Sequence, residues 1–558
     1  MNDQYAELYS TYQWFVPSQF NIAQVCLHRW AENSHEGRRP AIFFEDANGQ
    51  ADTWSYSRLA ETSNRLANGL IRMGVQPGDR VAVVMEQRPE LAAAYMAAFS
   101  VGAIVVPLTA QYGPDGLGMR LRDAGSRVAI VDAACGPDLL QAQVRCPALS
   151  QIIGLGFQHE SIIPWRSLLA RQPDTFKPLP TRSDSPALLL YTSGTTDAAP
   201  KGVLHAHSAL IGNLPGFVAS QNWFPLPMDV FWTPADWTWA AGLMGGLLPT
   251  LYFGHPIVAT NARFSAPHAF ELMERYRVTN TFLFPAAIKL MIQEVHAPRE
   301  HYHLSLRGIT VAGENVGSHL ISWCRQALGI TPNEAFGQTE ANYVVGNSFV
   351  KWPAVAGSLG RPYPGHLVTV LDESERPCPA GVVGEICVNR YDIQGHRDPA
   401  LFLGYWNDDD ATRARFRGDW YLTGDLGYVD RQGDFWHVGR REDVFLSNGH
   451  LVSPGLIENC LMTHPAVANV AVVPKPDTSR GAYIKAYVVL AEAWRGAERE
   501  ALEQTLQEHV RTGLSAQSTP REITFTDALP ISSTGKIRRH VLRQREEQHK
   551  AETSTHRP

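Results

Sequence analysis

Short apolar runs alternate with helical stripes through the first part of the chain, and that alternation constrains the fold more than any other feature. Residues 57–73 place Leu59, Leu66, Leu70 and Met73 on one stripe, with Gly74 as a stop, and residues 80–85 follow as a Val-rich strand. Pro89 and Glu90 open a second helix, and residues 103–106 and 128–131 read as further strands. Strand and helix in alternation predict α/β layers around a substantially parallel sheet. The middle keeps this character: 270–276 helical, 281–284 extended, and 309–311 a strand running into Gly313 and Glu314. Ligands of such sheets collect where loops leave the carboxyl ends of strands. Gly313 and Glu314 are therefore candidate binding residues, and so is residues 333–340, NEAFGQTE, read as a second loop of this kind.

From about residue 359 to 436 short strands with Gly and Pro turns predict a smaller β-rich subdomain. GRRED at 439–443 is a charged joint; beyond it, strands at 467–473 and 484–489 with a helix over about 497–510 form an α+β unit. The expected organisation is a large N-terminal domain, 1–441, of layered α/β subdomains plus the β-rich subdomain. A small mobile α+β C-terminal domain, 442–558, completes it. The tail from Arg538 on is charged and ends in Ser, Thr, His and Pro, which reads as a frayed terminus.

A formal charge of −6 supplies no polybasic field for nucleic acid or an anionic membrane. Seven cysteines without a CxxC pair fit reduced thiols in a cytoplasmic compartment rather than a disulfide scaffold or zinc site. The N-terminus lacks the pattern of a secretory signal. Between Asp236 and Arg263 no charged side chain occurs, but glycines and prolines punctuate the run too often for a membrane span, so a buried helix and then a buried strand are expected. Oligomeric state is not legible.

Residues 191–202, YTSGTTDAAPKG, follow the apolar run 187–190 and carry the densest chemistry. Thr192, Ser193, Thr195 and Thr196 crowd hydroxyls around Gly194, and Lys201 closes the loop. Glycine-freed N–H groups, hydroxyl donors and one mobile ammonium suit a polyanion, and the loop is read as the holder of the phosphates of ATP. It is not a Walker A loop, because no Gly-Lys-Ser/Thr follows.

This loop, AFGQTE at 335–340, YLTGD at 421–425, GRRED and PISSTGK at 530–536 occur in the order of one family. The chain resembles the adenylate-forming acyl-CoA synthetases, in particular the medium-chain-like branch, over about residues 22–543. The resemblance implies two half-reactions: a carboxylate attacks the α-phosphate of MgATP to give acyl-AMP, and coenzyme A then displaces AMP. It places Thr192–Thr196 and Lys201 on the β- and γ-phosphates, with Glu334, Ala335, Phe336, Gly337 and Gln338 in the ATP site, where Phe336 faces adenine. Thr339 reaches the α-phosphate, and Glu340 is a hard ligand for Mg²⁺. Asp425 and Arg440 hold the ribose, and Lys536 bridges the attacking carboxylate and α-phosphate as the catalytic ammonium. Glu442 is the hinge, and Asn448, Gly449 and His450 line the path of coenzyme A.

Acetate-specific relatives carry a Trp immediately before Gln-Thr-Glu, where this chain has Gly337. A medium-chain, branched or aryl acid is expected instead, with Trp232, Trp237, Trp239 and Phe284 as lining candidates that burial tendency equally assigns to the core. The chain departs from the family pattern at Asp197, at one extra residue before Pro200, and at Leu451, where relatives carry Arg. These departures keep two alternatives open: a non-catalytic descendant that binds nucleotide or acyl-AMP, and an adenylating enzyme that loads a carrier protein.

Overall fold

Ser55 accepts a hydrogen bond from the Arg58 amide at 3.2 Å, and the helix Tyr56–Arg72 starts there. It stops at Met73, with Gly74 at φ +80°. Leu59, Leu66 and Leu70 face inward as their spacing predicts. The helix Pro89–Ser100 has proline in its first turn and buries every residue but Glu90, as its unbroken apolar sequence requires. The computed structural model describes residues 3–192, 201–313, 316–447, 450–477, 481–531 and 537–555. Their contacts divide into a first unit (3–192, 201–368 and 388–421) and a second (369–387 and 422–555).

Two sheets build the first unit. Among the described residues one has eight strands and the other nine. In the eight-stranded sheet Pro186–Tyr191 lies beside Ile104–Leu108, followed by Arg80–Val84, Val128–Asp132, Gln151–Leu155 and Ile162–Pro164, all parallel. On its other side Pro186–Tyr191 pairs antiparallel with Gly202–Ala206, Tyr191 opposite Gly202. The nine-stranded sheet runs parallel from Asn333–Gln338 through Gly308–Ala312, Asn280–Leu283, Phe231–Trp232 and Ile257–Thr260 to Pro40–Glu45. Val83 and Val105 of one sheet share an apolar cluster with Ile42 and Ile257 of the other, so the main core lies between the sheets. The uncharged run after Asp236 forms short buried helical turns over Leu243–Leu247 and Leu248–Tyr252 and then the strand Ile257–Thr260. No helix of the described residues is long and apolar enough to cross a membrane.

In the second unit residues 425–429 of the strand Trp420–Val429 pair antiparallel with Phe435–Arg440. Farther on, Val467–Asp477 pairs antiparallel with Gly481–Leu490, which runs parallel to Glu522–Phe525. The helices Pro454–Met462 and Arg499–Gly513 contribute Ile457, Leu502 and Leu506 to a core with Val470, Val472, Ala486 and Val488.

The C-terminal tail corrects the sequence reading. Residues Arg539–Thr555 form a helix rather than a frayed end. Leu542 is 1% exposed and packs with Ala471, Val473, Tyr487 and Leu529. Glu546 is 2% exposed and accepts from Lys485 Nζ at 2.8 Å and from the Tyr487 hydroxyl. Leu542 and Glu546, with Arg539 bonded to Glu458 and Arg543 to Asp443, anchor a helix whose composition resembles that of a solvated tail.

Candidate active site

Asn333–Gln338 is a strand, not the loop its polar composition suggests. Asn333 Nδ2 donates to the Ser220 carbonyl and Asn222 Oδ1, both at 2.8 Å, while its own Oδ1 accepts from the Phe349 amide at 2.7 Å. A polar residue so fully partnered heads a buried strand at little cost. Ala335 pairs with Ala312 of the neighbouring parallel strand, which brings Gly313, at φ +100°, to the same carboxyl end as Phe336. Glu314 lies outside the described residues.

Glu334 is 5% exposed and lines a small pocket with Val311, Val316, Ile321 and Asn347. Its Oε1 takes one long hydrogen bond, 3.4 Å, from the Val316 amide, and its Oε2 is buried without a partner among the described residues. Burial pushes the carboxyl up to about 8, against the smaller opposing effect of the Val316 amide.

The strand pairs antiparallel with Asn342–Gly346, with a bulge between Phe336 and Gly337. A Cβ at Gly337 would stand 1.8 Å from the Asn342 carbonyl oxygen, so the hairpin itself demands glycine here. Gln338 Oε1 accepts from the Tyr421 hydroxyl at 2.7 Å. The Thr339 carbonyl accepts from His205 Nε2 at 2.7 Å; burial lowers this imidazole to about 4, so it donates as the neutral ring.

Glu340 closes the segment. Its carbonyl accepts from the Phe402 amide at 2.8 Å, and its Oε1 accepts from the Tyr405 hydroxyl, also at 2.8 Å. Lys201 Nζ stands 5.1 Å from the centre of the Tyr405 ring, and the Lys201 carbonyl accepts from the Thr192 amide at 3.1 Å. Tyr405 thus joins the closing lysine of one motif to the carboxylate of another. Ser193, Gly194, Thr195, Thr196 and Asp197 lie outside the described residues.

In the second unit Asp425 and Arg440 sit opposite each other on paired strands. Arg440 Nε approaches Asp425 Oδ1 at 3.0 Å, and His437 Nε2 reaches the same oxygen at 3.1 Å. The carboxylate is 2% exposed. Glu442 and His450 are exposed; Asn448, Gly449 and Lys536 lie outside the described residues. Ile531 and Ile537, on either side of 532–536, form a bridge, and the Arg538 amide donates to the Pro530 carbonyl at 2.8 Å.

Residues 27–406 match the model of the AMP-binding enzymes, and residues 456–536 match that of the AMP-binding enzyme C-terminal domain. The chain belongs to the acyl-CoA synthetases of this family. It is 32% identical to the uncharacterized acyl–CoA ligase YtcI of Bacillus subtilis (strain 168), covering 96% of this chain and 98% of that one. Its identity to the mitochondrial acyl-coenzyme A synthetase ACSM3 of Mus musculus is 30%, over 95% and 91% of the two chains. Among solved structures it resembles the anthranilate CoA ligase AuaEII in complex with anthranoyl-AMP (TM-score 0.86, 26% identity, 96% and 99% covered). A benzoate CoA ligase from Burkholderia xenovorans LB400 gives a TM-score of 0.79 at 26% identity, covering 94% and 100%.

As an acyl-CoA synthetase the chain is an acid–thiol ligase: ATP activates a carboxylic acid as its adenylate, and coenzyme A takes the acyl group. Three side chains of its candidate site escaped the sequence reading. Tyr405, His205 and His437 sit in no motif, and they reach Glu340, Thr339 and Asp425 only through sheet pairing. A tyrosine in GYW and histidines in ordinary strands carry no spacing signal.

Proposed function

We propose that this ligase activates a medium-chain, branched or aryl carboxylic acid. The observation that carries its ATP-dependent adenylation step is the Lys201–Tyr405–Glu340 arrangement, which sets an ammonium and a hydroxyl-held carboxylate on one ring. An ammonium there meets phosphate charge, and the carboxylate meets a hard cation. Among the described residues no group of three or more His, Cys, Asp or Glu is gathered for a metal. One carboxylate fits Mg²⁺ all the same, because that ion takes few protein ligands and fills its shell with water and substrate phosphates. When bound, it neutralises triphosphate charge that would repel the incoming acid.

The chain's own groups supply the rest. Thr192–Thr196 and Lys201 hold the distal phosphates, and His205 orients Thr339 toward the α-phosphate by fixing its carbonyl. Phe336 faces adenine, with Gly313, Glu314, Glu334, Ala335, Gly337 and Gln338 around the nucleotide. Arg440 and His437 orient the Asp425 carboxylate that accepts from the ribose hydroxyls. Lys536 stabilises the charge of the pentacoordinate transition state. Glu442 is the pivot between the half-reactions, and Asn448, Gly449 and His450 border the coenzyme A path. All seven cysteines are free thiols, in keeping with a cytoplasmic site of action.

The anthranilate and benzoate ligases among the similar structures support the aryl option. Trp232 and Trp237 are 1% and 0% exposed and serve the core, which leaves Trp239 and Phe284, both half-buried, as lining candidates. Acid-dependent ATP–pyrophosphate exchange across acetate, medium-chain, branched and aryl acids tests the reading. Exchange with acetate alone would overturn the substrate class, and exchange with no acid would overturn the adenylation step.

A further inference from the structure

Residues 398–406 form a strap that holds Glu340 by main chain and side chain at once. The Phe402 amide donates to the Glu340 carbonyl and the Tyr405 hydroxyl to Glu340 Oε1, both at 2.8 Å. The Ala400 carbonyl accepts from Asn342 Nδ2 at 3.1 Å, two residues beyond Glu340. The Leu403 and Trp406 amides donate to the Leu204 and Gly202 carbonyls, both at 2.7 Å, on the strand that follows Lys201. A Cβ at Gly212 would stand 2.2 Å from the Ala400 nitrogen, so the helix Ala209–Ser220 packs directly on the strap.

The strap begins at a buried couple that lies outside every motif named above. His366 Nδ1 donates to Asp398 Oδ2 at 2.7 Å, and Asp398 Oδ1 accepts from the Ala400 amide at 2.8 Å. Both side chains are fully excluded from solvent. His366 is fixed in turn: the Tyr9 hydroxyl donates to its carbonyl at 2.9 Å, and the Trp14 ring meets its imidazole edge-on with centroids 5.4 Å apart. A buried carboxylate whose two oxygens take two different donors has one orientation, and the Ala400 bond passes that orientation to the backbone just before Phe402.

We propose that His366 and Asp398 are positioning residues for Glu340: the couple sets the strap 398–406, and the strap sets the carboxylate. The inference rests on the reading of Glu340 as a magnesium ligand. Desolvation offsets much of the attraction within so buried a pair, so its consequence lies in the conformation it selects rather than in net stability. Removing the donor frees Asp398 to turn and loosens the Ala400 amide, and with it the Phe402 and Tyr405 bonds. Glu340 then presents its free oxygen in a less ordered position, and loss of such outer support weakens a cation site about 10–100-fold.

The test compares wild type with His366→Phe, His366→Asn, Asn342→Gly and Glu340→Gln. Phenylalanine keeps a ring beside Trp14 and removes the donor, whereas asparagine returns an amide N–H near the place of Nδ1 and leaves part of the ring volume empty. A merely structural couple makes the magnesium requirement follow the melting temperature; a positioning couple makes it follow the donor. The Mg²⁺ concentration that half-saturates pyrophosphate exchange is expected to rise about tenfold in His366→Phe, and to stay within about threefold of wild type in His366→Asn despite a lower melting temperature. Asn342→Gly suits the φ of +56° at that position and cuts the strap at Ala400 instead; it is expected to raise the requirement likewise, and it judges the proposal if His366→Phe does not fold. Hydrogen–deuterium exchange of the proteins without metal or nucleotide supplies a readout that needs no activity. The Ala400 and Phe402 amides are expected to exchange several-fold faster in His366→Phe. Unaltered exchange, an unchanged magnesium requirement in His366→Phe and Asn342→Gly, or a requirement that tracks melting temperature through all variants would overturn the proposal. Glu340→Gln with a wild-type requirement would instead count against the metal reading, while hydrogen exchange would still judge whether the couple holds the strap.

Discussion

The Tyr405 hydroxyl donates to Glu340 Oε1 at 2.8 Å, while its ring lies 5.1 Å from Lys201 Nζ. The hydroxyl is held protonated by burial first and by the Glu340 carboxylate second, both of which push its pKa well above the usual phenol range. It is therefore a permanent donor at working pH, and it fixes one oxygen of the carboxylate so that the other can meet a cation.

Tyr405→Phe keeps the ring beside Lys201 and removes the hydroxyl with its bonds to Glu340 and Arg415. A hydrogen bond to a charged group is worth about 1.5–3 kcal/mol. The Mg²⁺ concentration that half-saturates pyrophosphate exchange should rise about tenfold, with little change in melting temperature. An unaltered magnesium titration would remove Glu340 from the metal site.

Glu334 gives the protein a pH signature. Its folded pKa, raised to about 8 by burial, lies above the unfolded value near 4.5, so the folded state holds the proton more tightly. The resulting stability is fully present below about pH 4.5 and is lost progressively as pH rises toward 8. Glu334→Gln does not titrate. Melting curves from pH 5 to 8.5 should show the variant gaining on wild type as pH rises and the difference levelling off above about 8. A constant difference would mean that the carboxylate ionises in place, relieved by water or a cation.

Gly337 carries a structural demand that the sequence presented as a choice of substrate. With a Cβ 1.8 Å from the Asn342 carbonyl oxygen, Gly337→Ala must push apart the Asn333–Gln338 and Asn342–Gly346 hairpin. Overpacking of this kind costs about 1–3 kcal/mol. The melting temperature should fall by several degrees, and Gly337→Trp should lose activity on every acid rather than shift toward acetate. A stable, acetate-preferring Trp variant would restore the pocket-floor reading.

Much of the fold was legible because period and punctuation agree. The stripe ending in Met73 and Gly74, the runs at 80–85 and 128–131, which form the strands Arg80–Val84 and Val128–Asp132, and the apolar run before Thr192 each fold as their spacing requires. Residues from separate motifs do come together: Glu340 and Lys201 meet through Tyr405, and Asp425 meets Arg440. What escaped depends on long-range pairing. Asn333 looks like a loop residue until Ser220, Asn222 and Phe349 are brought to it. The tail looks solvated until Glu546 finds Lys485, sixty-one residues away.

That last pair makes the C-terminal helix testable. Lys485 is 6% exposed and its ammonium lies 2.8 Å from both Glu546 Oε1 and Glu522 Oε1. Removing one partner of a buried pair costs about 3–5 kcal/mol, but Glu522 remains to share the charge, so Glu546→Ala should cost about 2–3 kcal/mol. Glu522 itself is a third exposed; burial works to raise its pKa, yet hydrogen bonds from Lys475 and Lys485 outweigh that and hold it at about 2. Its contribution is present above about pH 4.5 and is lost as pH falls toward 2. Urea denaturation followed by fluorescence should therefore show Glu546→Ala unfolding earlier at pH 7, and wild type losing stability in acid. Equal midpoints for the two proteins at pH 7 would mean that the Arg539–Thr555 helix contributes nothing through Glu546 and is held by Leu542 and by the bonds of Arg539 to Glu458 and of Arg543 to Asp443.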